Sequence, residues 1–170
     1  MSKTRARIRR RIEREPGIHF RALTRGLELA TGQVQYHLGR IEDVRVERVN
    51  GRTHYYPPGY DEWERRTLAM LRRETARDIV LVLCAEDRTR PADVADRLDI
   101  ARSTLEHHLD GLAEHGIVEK RRDGRRVTLT VVRPEETVEL LGAVEPTLLE
   151  RLTDRFERLV DGLLEGAAEE

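Results

Sequence analysis

The feature that most constrains the fold is an internal repeat. Residues 20–38 align without gaps with residues 91–109. The apolar positions superpose in six pairs: Leu23 on Val94, Leu27 on Leu98, Leu29 on Ile100, Val34 on Leu105, Leu38 on Leu109 and Ile41 on Leu112. Two extra residues in the second copy then align Asn50-Gly51-Arg52 with Asp123-Gly124-Arg125. Self-similarity of this kind predicts two structural units of the same type.

The first copy has the pattern of three helices followed by a hairpin. Ile8 and Ile12 lie in a first helix, which the breaker Glu15-Pro16-Gly17 ends. The apolar spacing predicts a second helix over residues 20–26, a third over 31–42, and strands over 44–49 and 53–56. Asn50-Gly51 lies between the two strands and is a strong hairpin signal, because both residue types tolerate positive φ.

The second copy repeats the pattern. Thr75 and Asp78 have the spacing of a capping box before the apolar helix at residues 79–85. The later spacings predict helices over residues 91–97 and 102–114, and strands over 117–121 and 125–132 around Asp123-Gly124. The predicted fold is therefore mainly α with small β-wings: two tandem winged helix-turn-helix domains followed by C-terminal helices.

The charge is distributed unevenly along the chain. The 170 residues contain 31 basic and 32 acidic side chains. Residues 1–60 hold 13 basic and 6 acidic side chains, whereas residues 61–133 hold 15 of each and residues 134–170 hold 3 and 11. We take these three ranges as the first domain, the linker helix with the second domain, and a C-terminal helical segment. The excess of positive charge in the first range favours contact with a polyanion, although a solvated charged surface is the simpler alternative.

Two short motifs resemble a known family. The segments Pro16-Gly17-Ile18-His19-Phe20-Arg21 and Val34-Gln35-Tyr36-His37-Leu38 are similar to archaeal winged-helix transcriptional regulators of the ArsR/MarR type. In the second copy, residues 101–109 and 116–118 resemble the recognition helix and first wing strand of the same superfamily. The resemblance covers about residues 8–57 and 76–132. It implies a transcriptional regulator that binds double-stranded DNA. The single cysteine fits a reducing compartment, so we expect the protein to be cytoplasmic and associated with the nucleoid. Winged helices also serve as protein-interaction modules.

The third helix of each copy is the candidate recognition helix, and its polar face supplies the candidate base contacts. In the first copy the exposed candidates are Thr31, Gly32, Gln33, Gln35, Tyr36 and Arg40. In the second copy they are Arg102, Ser103, Thr104, Glu106, His107 and Asp110. Glutamine can contact adenine edges, whereas two carboxylates would oppose the DNA backbone. We therefore expect the first copy to be the main sequence reader.

The two predicted wings are rich in basic residues, which normally contact phosphate or the minor groove. Those around the first turn are Arg45, Arg48, Arg52 and His54. Those around the second turn are Lys120, Arg121, Arg122, Arg125 and Arg126. A third set near the start of the chain could form a phosphate-contacting arm or the charged face of a helix: Arg5, Arg7, Arg9, Arg10, Arg11 and Arg14.

The sequence gives little support to metal binding or catalysis. His107, His108 and His115 invite a metal hypothesis, but Cys84 is the one cysteine and lies in an apolar helix, where core packing is the simpler role. Glycine-rich phosphate loops, His-Glu-x-x-His and nucleophile elbows do not occur. Apolar runs fall far short of the roughly 20 residues that cross a bilayer. We expect a protein that is not an enzyme and has no cofactor or metal.

The segments outside the repeats are expected to hold the domains together and to pair two chains. Asp61 can cap a linker helix that runs to about Arg73, which would fix the relative orientation of the two copies. Tyr55, Tyr56, Tyr60 and Trp63 are assigned to core or interdomain packing, and an effector beside them is compatible with the sequence but not required by it. The seam Leu149, Leu152, Phe156, Leu159 and Leu163 has coiled-coil spacing. It predicts a homodimer; the alternative is that this helix folds back on its own domain.

The sequence is therefore compatible with two functions. The first is a sequence-specific, double-stranded-DNA-binding transcriptional regulator that acts as a homodimer. The second is a tandem winged-helix scaffold that binds other proteins in a chromosome-organising or transcription complex. The basic charge of residues 1–60 favours the first, and the acidic pair on the second recognition helix favours the second.

Overall fold

The computed structural model describes residues 2–148, so the predicted dimerisation seam at Leu149–Leu163 lies outside the described residues. The elements of the first copy are α1 (Lys3–Arg14), β1 (Ile18–His19), α2 (Phe20–Leu27), α3 (Thr31–Leu38), β2 (Arg45–Val49) and β3 (Arg52–Tyr56). The linker helix is α4 (Glu62–Leu71). The second copy and its extension comprise α5 (Glu74–Ala85), α6 (Pro91–Leu98), α7 (Arg102–Glu114), β4 (Val118–Asp123), β5 (Arg126–Val131) and α8 (Pro134–Val144). The predicted fold class is confirmed. No helix within residues 2–148 is long and apolar enough to cross a membrane.

In both copies a short additional β-pairing joins the wing, which the sequence pattern did not predict. In the first, β1 pairs antiparallel with β3, with Ile18 opposite Tyr55, so that the sheet order is β1-β3-β2. In the second, an isolated bridge joins Thr89 to Leu129 of β5. Thr89 occupies the repeat position of Ile18, so the two copies share this pairing as well as their helices.

The third helix of the first copy is shorter than predicted. It ends at Leu38 instead of residue 42, and the chain continues in tight turns in which Arg40 N–H donates to His37 O and Ile41 N–H donates to Leu38 O. Gly39 follows the last helical residue, where its low helix propensity favours termination. Arg40 therefore lies beyond the helix, although Leu38 and Ile41 still pack against the core of the first domain.

The predicted capping box at Thr75 and Asp78 is wrong. Helix α5 begins at Glu74 with Arg73 as its N-cap residue and has no side-chain cap. Only two residues separate α4 from α5, so the chain re-enters a helix before Thr75 can occupy the capping position. A capping box does form at the predicted start of α4, where Asp61 Oδ1 accepts from Glu64 N–H and Glu64 Oε2 accepts from Asp61 N–H, both at 2.8 Å.

The two hairpin turns differ in type. Asn50 and Gly51 both have positive φ, 47° and 78°, as a type I′ turn requires. In the second wing Asp123 is paired with Arg126, so the central turn residues are Gly124, with φ 59°, and Arg125. That is the pattern of a type II′ turn with glycine first. The prediction of a hairpin here is confirmed, but the turn lies one residue later than Asp123-Gly124, and Arg125 is at its tip.

The larger hydrophobic core includes residues from both copies. Val49 and Tyr56 of the first wing are buried in the same cluster as Leu68 and Leu71 of α4 and the inward faces of α5 and α7. A smaller cluster, which includes Ile8 and Val34, is confined to the first copy. The expected packing role of the four aromatic residues is confirmed, since Tyr55 belongs to the smaller cluster and Tyr56, Tyr60 and Trp63 belong to or pack against the larger one.

The turn of the first wing is docked on the second copy. Asn50 Nδ2 donates to Met70 Sδ at 3.2 Å, and Arg73 Nη2 donates to Asn50 O at 3.0 Å. His115 Nε2 lies 3.4 Å from Asn50 Oδ1. One side of this turn therefore contacts side chains of the linker and the second copy, whereas Asn50 and Gly51 themselves remain exposed.

Arg72 joins three parts of the chain. Its guanidinium donates to Pro16 O at 2.8 and 3.2 Å, and to Val144 O at 3.4 Å. Burial is the main cause that lowers the pKa of Arg72. Next to Pro16, Gly17 has φ 82°, and a Cβ there would lie 3.1 Å from Leu68 Cβ, so the loop can approach α4 closely only as glycine.

We expect Arg72→Met to lower the free energy of unfolding by about 2–3 kcal/mol, because it removes charged donors and leaves the buried Pro16 carbonyl unpaired. Urea denaturation followed by circular dichroism measures this. Arg14→Met is the matched control, since Arg14 is exposed and makes no ion pair within residues 2–148. The control should change stability by less than about 0.5 kcal/mol. Equal effects of the two substitutions would contradict the bridging role.

Candidate nucleic-acid interface

The surface of the first copy contains a groove between α2, α3 and the wing. Its volume is about 800 Å³. The residues that line it are His19, Phe20, Arg21, Arg25, Gln35, Gly51, Arg52, Thr53 and Tyr55. We call it the basic groove, because three of these residues are arginines and none is acidic.

The basic groove is assembled from three elements. Arg21 and Arg25 are one helical turn apart on α2, whose Leu23 and Leu27 face the core. Gln35 projects from the exposed face of α3, and Arg52 is the first residue of β3. Three guanidinium groups beside an amide side chain can bind phosphate oxygens while the amide contacts a base edge.

His19 is one of the residues that line the basic groove, and its pKa is lowered from the ordinary value. Burial lowers its pKa, and the positive charges of Arg52, Arg25 and Arg21 lower it further. Its Nδ1 accepts from Ala22 N–H at 3.3 Å and so caps α2. The contribution of the three arginines is consistent with a positive potential in the groove, which adds to the effect of burial.

The exposed face of α3 carries most of the predicted base-contact residues. Thr31, Gln33, Gln35 and Tyr36 are all exposed. Gln33 Oε1 accepts from Ala30 N–H at 3.4 Å, which uses its carbonyl oxygen and leaves its amide group. The guanidinium of Arg40 lies 3.6 Å from the centre of the Tyr36 ring, and its Nη1 donates to Tyr36 O. Arg40 thus supports Tyr36 from beyond the end of the helix, and Tyr36 remains 56% exposed.

The first wing presents part of the predicted basic set. Arg45, Arg48 and Arg52 are exposed. His54, by contrast, is 1% exposed and lies inside the sheet, with Nδ1 2.7 Å from Gly17 O. It belongs to the inward register of β3 with Tyr56, so the expectation that it contacts DNA is wrong.

The recognition helix of the second copy is less acidic in effect than its sequence indicates. Lys120 of β4 contacts Glu106 at 2.5 Å and Asp110 at 3.9 Å, and Arg102 contacts Glu106 at 3.7 Å. Both carboxylates that were expected to oppose DNA are therefore paired with cations of their own domain. Arg102, Ser103, Thr104 and His107 remain exposed beside them.

The second wing is more open than the first. Arg122, Arg125 and Arg126 are exposed and make no ion pair within residues 2–148, whereas Lys120 is paired and Arg121 contacts Glu119 at 3.2 Å. Its turn carries Arg125 at the tip and has no docking contact, among the described residues, like that of Asn50. The second wing therefore has three uncommitted guanidiniums, which is consistent with a phosphate-binding role.

The arginines near the start of the chain lie on a packed helix and do not form a separate arm. Arg9 pairs with Glu13 and Asp43, Arg11 pairs with Glu15, and Arg7 donates to Leu27 O. These contacts fix α1 to its own domain and neutralise part of its charge. The alternative interpretation, the charged face of a helix, describes these residues better.

The three histidines considered for metal binding do not form a site. Within residues 2–148 no group of three histidine, cysteine or carboxylate side chains is arranged to hold a metal ion. His115 contacts Asn50 at the domain junction, whereas His107 and His108 contact each other edge-to-face. Cys84 packs against the larger core, as predicted, and burial raises the pKa of its thiol to about 11.

Comparison with known protein families identifies both copies as helix-turn-helix domains. Residues 2–68 match a family described as an N-terminal HTH domain, and residues 71–121 match a helix-turn-helix domain family. The chain is a tandem winged helix-turn-helix regulator.

Solved structures similar to this regulator include HlyU of Vibrio cholerae and ZitR of Lactococcus lactis. Reduced HlyU is 25% identical, with a TM-score of 0.41 over 50% of this chain and 82% of that chain. A cysteine-to-serine mutant of ZitR is 20% identical, with a TM-score of 0.40 over 81% and 94%. Wild-type ZitR in complex with DNA is 18% identical, with a TM-score of 0.38 over 83% and 97%. No curated protein matches the chain significantly.

Sequence reasoning missed three basic residues of the regulator's surface. Arg21 and Arg25 line the basic groove, and their signal was the four-residue spacing on a helix whose leucines face inward. Arg73 lies at the start of α5 and reaches the turn of the first wing. No local pattern marks Arg73, because its position depends on how the two copies are docked.

The buried imidazole of His54 makes the stability of the regulator depend on pH. Burial is the main cause that lowers its pKa below 6.5, and its Nε2 has no hydrogen-bond partner among residues 2–148. The unfolded chain then binds more protons than the folded one, so the stability is fully present above pH 6.5 and is lost as the pH falls through the folded pKa. We expect the free energy of unfolding to decrease from about pH 7 to about pH 5.

His54→Asn removes this titration while its amide can still donate to Gly17 O, so its stability profile should be flatter. Urea denaturation at several pH values in both proteins tests the prediction. Parallel profiles would show that His54 does not control the acid dependence.

Proposed function

We propose that this tandem winged helix-turn-helix regulator is a sequence-specific transcription regulator that binds double-stranded DNA as a homodimer. The observation that carries the proposal is the basic groove, in which Arg21, Arg25 and Arg52 surround Gln35 on the exposed face of α3 and no acidic side chain is among the lining residues. Phosphate contacts position a protein on a duplex, and polar side chains on a recognition helix read the bases.

The first copy supplies base contacts in this proposal. Thr31, Gln33, Gln35 and Tyr36 lie on the solvent face of α3, where the core residue Val34 faces the opposite way. An amide side chain can make two hydrogen bonds to adenine, and an aromatic ring can contact a thymine methyl group or a sugar. Positive charge beside this face comes from Arg40, which stacks on Tyr36, and from Arg52, which lines the groove with Gln35, while Arg48 is exposed on the wing.

The second copy supplies mainly phosphate contacts. Its wing carries three guanidiniums without partners among residues 2–148: Arg122, Arg125 and Arg126. Its recognition helix adds Arg102, Ser103, Thr104 and His107, with Arg121 beside them on the wing. The pairing of Glu106 with Lys120 lets this helix approach DNA at a smaller electrostatic cost than two free carboxylates would impose.

The test is the salt dependence of binding to duplex DNA. Each phosphate neutralised by the protein releases condensed cations, so the logarithm of the binding constant should fall steeply with the logarithm of salt concentration. Arg25→Gln should reduce the slope by about 1 and weaken all sequences similarly. Arg88→Gln is the matched control, because it removes the same charge from the exposed turn between α5 and α6. Fluorescence anisotropy over a range of KCl concentrations measures both slopes.

A slope near zero for the wild-type regulator would overturn the proposal and favour a protein-interaction scaffold instead. The acidic pair on α7 was the main support for that alternative. Because Lys120 contacts both of its carboxylates, the pair offers less free negative charge to a partner protein than the sequence indicates.

The homodimer rests on the sequence of the C-terminal segment. We propose that two chains pair through Leu149, Leu152, Phe156, Leu159 and Leu163. In this proposal the domain boundaries lie at residues 60 and 133. The protein acts in the cytoplasm as a non-enzymatic, nucleoid-associated protein. Two-fold pairing would present two basic grooves to one inverted repeat.

We expect light scattering to give the mass of a dimer for the wild-type regulator and of a monomer for the Leu152→Asp, Leu159→Asp double variant. The reason is that four carboxylates would be buried in the paired seam. Helical content should be retained and DNA affinity should fall. A double variant that remains dimeric would exclude this seam as the interface.

A further inference from the structure

Two arginines, Arg73 and Arg52, lie beside the turn of the first wing at the junction of the two domains. Arg73 is the N-cap residue of α5, and its guanidinium donates to the carbonyl of Asn50, two residues before Arg52. Burial lowers the pKa of Arg73, and the positive charge of Arg52 lowers it further. The Nε of Arg73 is buried and has no hydrogen-bond partner among residues 2–148. Arg73 is thus a half-buried cation whose Nε is out of a ligand's reach and whose Nη2 donates to the turn, whereas its Nη1 is not buried and has no partner among the described residues.

Among the described residues, no carboxylate near this junction forms an ion pair with Arg73. Glu47 is the acidic neighbour on the side of His115, but Arg65 and Arg66 bind its two oxygens at 2.8 and 3.1 Å. Glu74 follows Arg73 in the chain but makes no ion pair with it within the described residues. Within the described residues no carboxylate offsets the lowering of the pKa of Arg73.

Positive charge from both copies converges on the same place. The pKa of His19, in the first copy, and that of His108, on the second recognition helix, are lowered first by burial and then by neighbouring positive charges that include Arg73. Arg52 also lines the basic groove. Arg73 therefore lies within electrostatic range of both His19, in the groove of the first copy, and His108, on the recognition helix of the second.

We propose that Arg52 and Arg73 jointly bind one phosphate group of the DNA backbone at the domain junction, so that both winged helices of one chain engage the same duplex. A phosphate between two guanidiniums relieves their repulsion and accepts hydrogen bonds from both, which makes the contact stronger than the sum of two isolated ones. This inference rests on the proposed DNA-binding function. It adds a residue outside both recognition helices and both wings.

The experiment compares Arg52→Gln, Arg73→Gln and the double variant with the wild-type regulator, again by DNA anisotropy over a range of KCl concentrations. Each single substitution should reduce the salt slope by about 1. The double variant should bind more tightly than the product of the two single effects predicts, because the two arginines serve one phosphate. Arg73→Lys keeps the charge and should restore most of the slope. The control is the double variant Arg73→Gln, Arg88→Gln, whose loss of DNA affinity should equal the product of the two single losses.

A second measurement distinguishes a site for a DNA phosphate from a site for a free anion, and a charge effect from an effect on folding. At constant ionic strength, inorganic phosphate should raise the Tm of the wild-type regulator and raise that of Arg73→Gln less. An unchanged salt slope of DNA binding in Arg73→Gln would overturn the inference. If Arg73→Gln kept this slope and lost only the increase in Tm with inorganic phosphate, the site would be assigned to a free anion. A loss of slope in Arg73→Gln that Arg73→Lys does not restore would indicate a structural role and would also overturn it. If the wild-type regulator shows no salt-dependent DNA binding, the proposed function fails, and the phosphate measurement then decides the junction site by itself.

Discussion

The arrangement of the regulator depends on the burial of the first wing against the linker helix. Val49 and Tyr56 lie in one hydrophobic core with Leu68 and Leu71, so the hairpin that ends the first domain is also a wall of the second. Burying large side chains in a shared core is favourable by roughly 1.5–3 kcal/mol each. Separating the two copies would expose these side chains and break the contacts of Arg72. The linker therefore holds the copies in one orientation, as the sequence of its helix predicted.

This docking gives the two wings different roles although they derive from the same repeat. Asn50, in the turn of the first wing, contacts Met70, Arg73 and His115, so this turn is tied to the rest of the chain although Asn50 and Gly51 remain exposed. The second wing has no such neighbour among the described residues, and its type II′ turn places Arg125 at the tip. Of the two recognition helices, the first lies beside an acid-free groove, whereas the second depends on a lysine from its own wing to neutralise its carboxylates.

The same docking creates the positive junction at Arg73. An arginine at the start of an exposed helix would normally be solvated, and its charge would be screened by water. Here its guanidinium is drawn over the turn of the first wing and its Nε is removed from water. The positive charge at this site is a consequence of joining the domains, and it is the reason why we propose that an anion binds there.

The sequence by itself determined the repeat, the helices and hairpins, and the surface of α3. The periodic placement of Leu23, Val34 and their partners in the second copy fixes which faces are buried, and Asn50-Gly51 fixes the first turn, because these signals are local. Tertiary structure decided the rest. It buried His54 through the register of β3, ended α3 at Leu38, paired Glu106 with Lys120 from another element, and brought Arg73 to Asn50. Those outcomes depend on distances between segments that are far apart in the chain, which hydrophobic spacing does not encode.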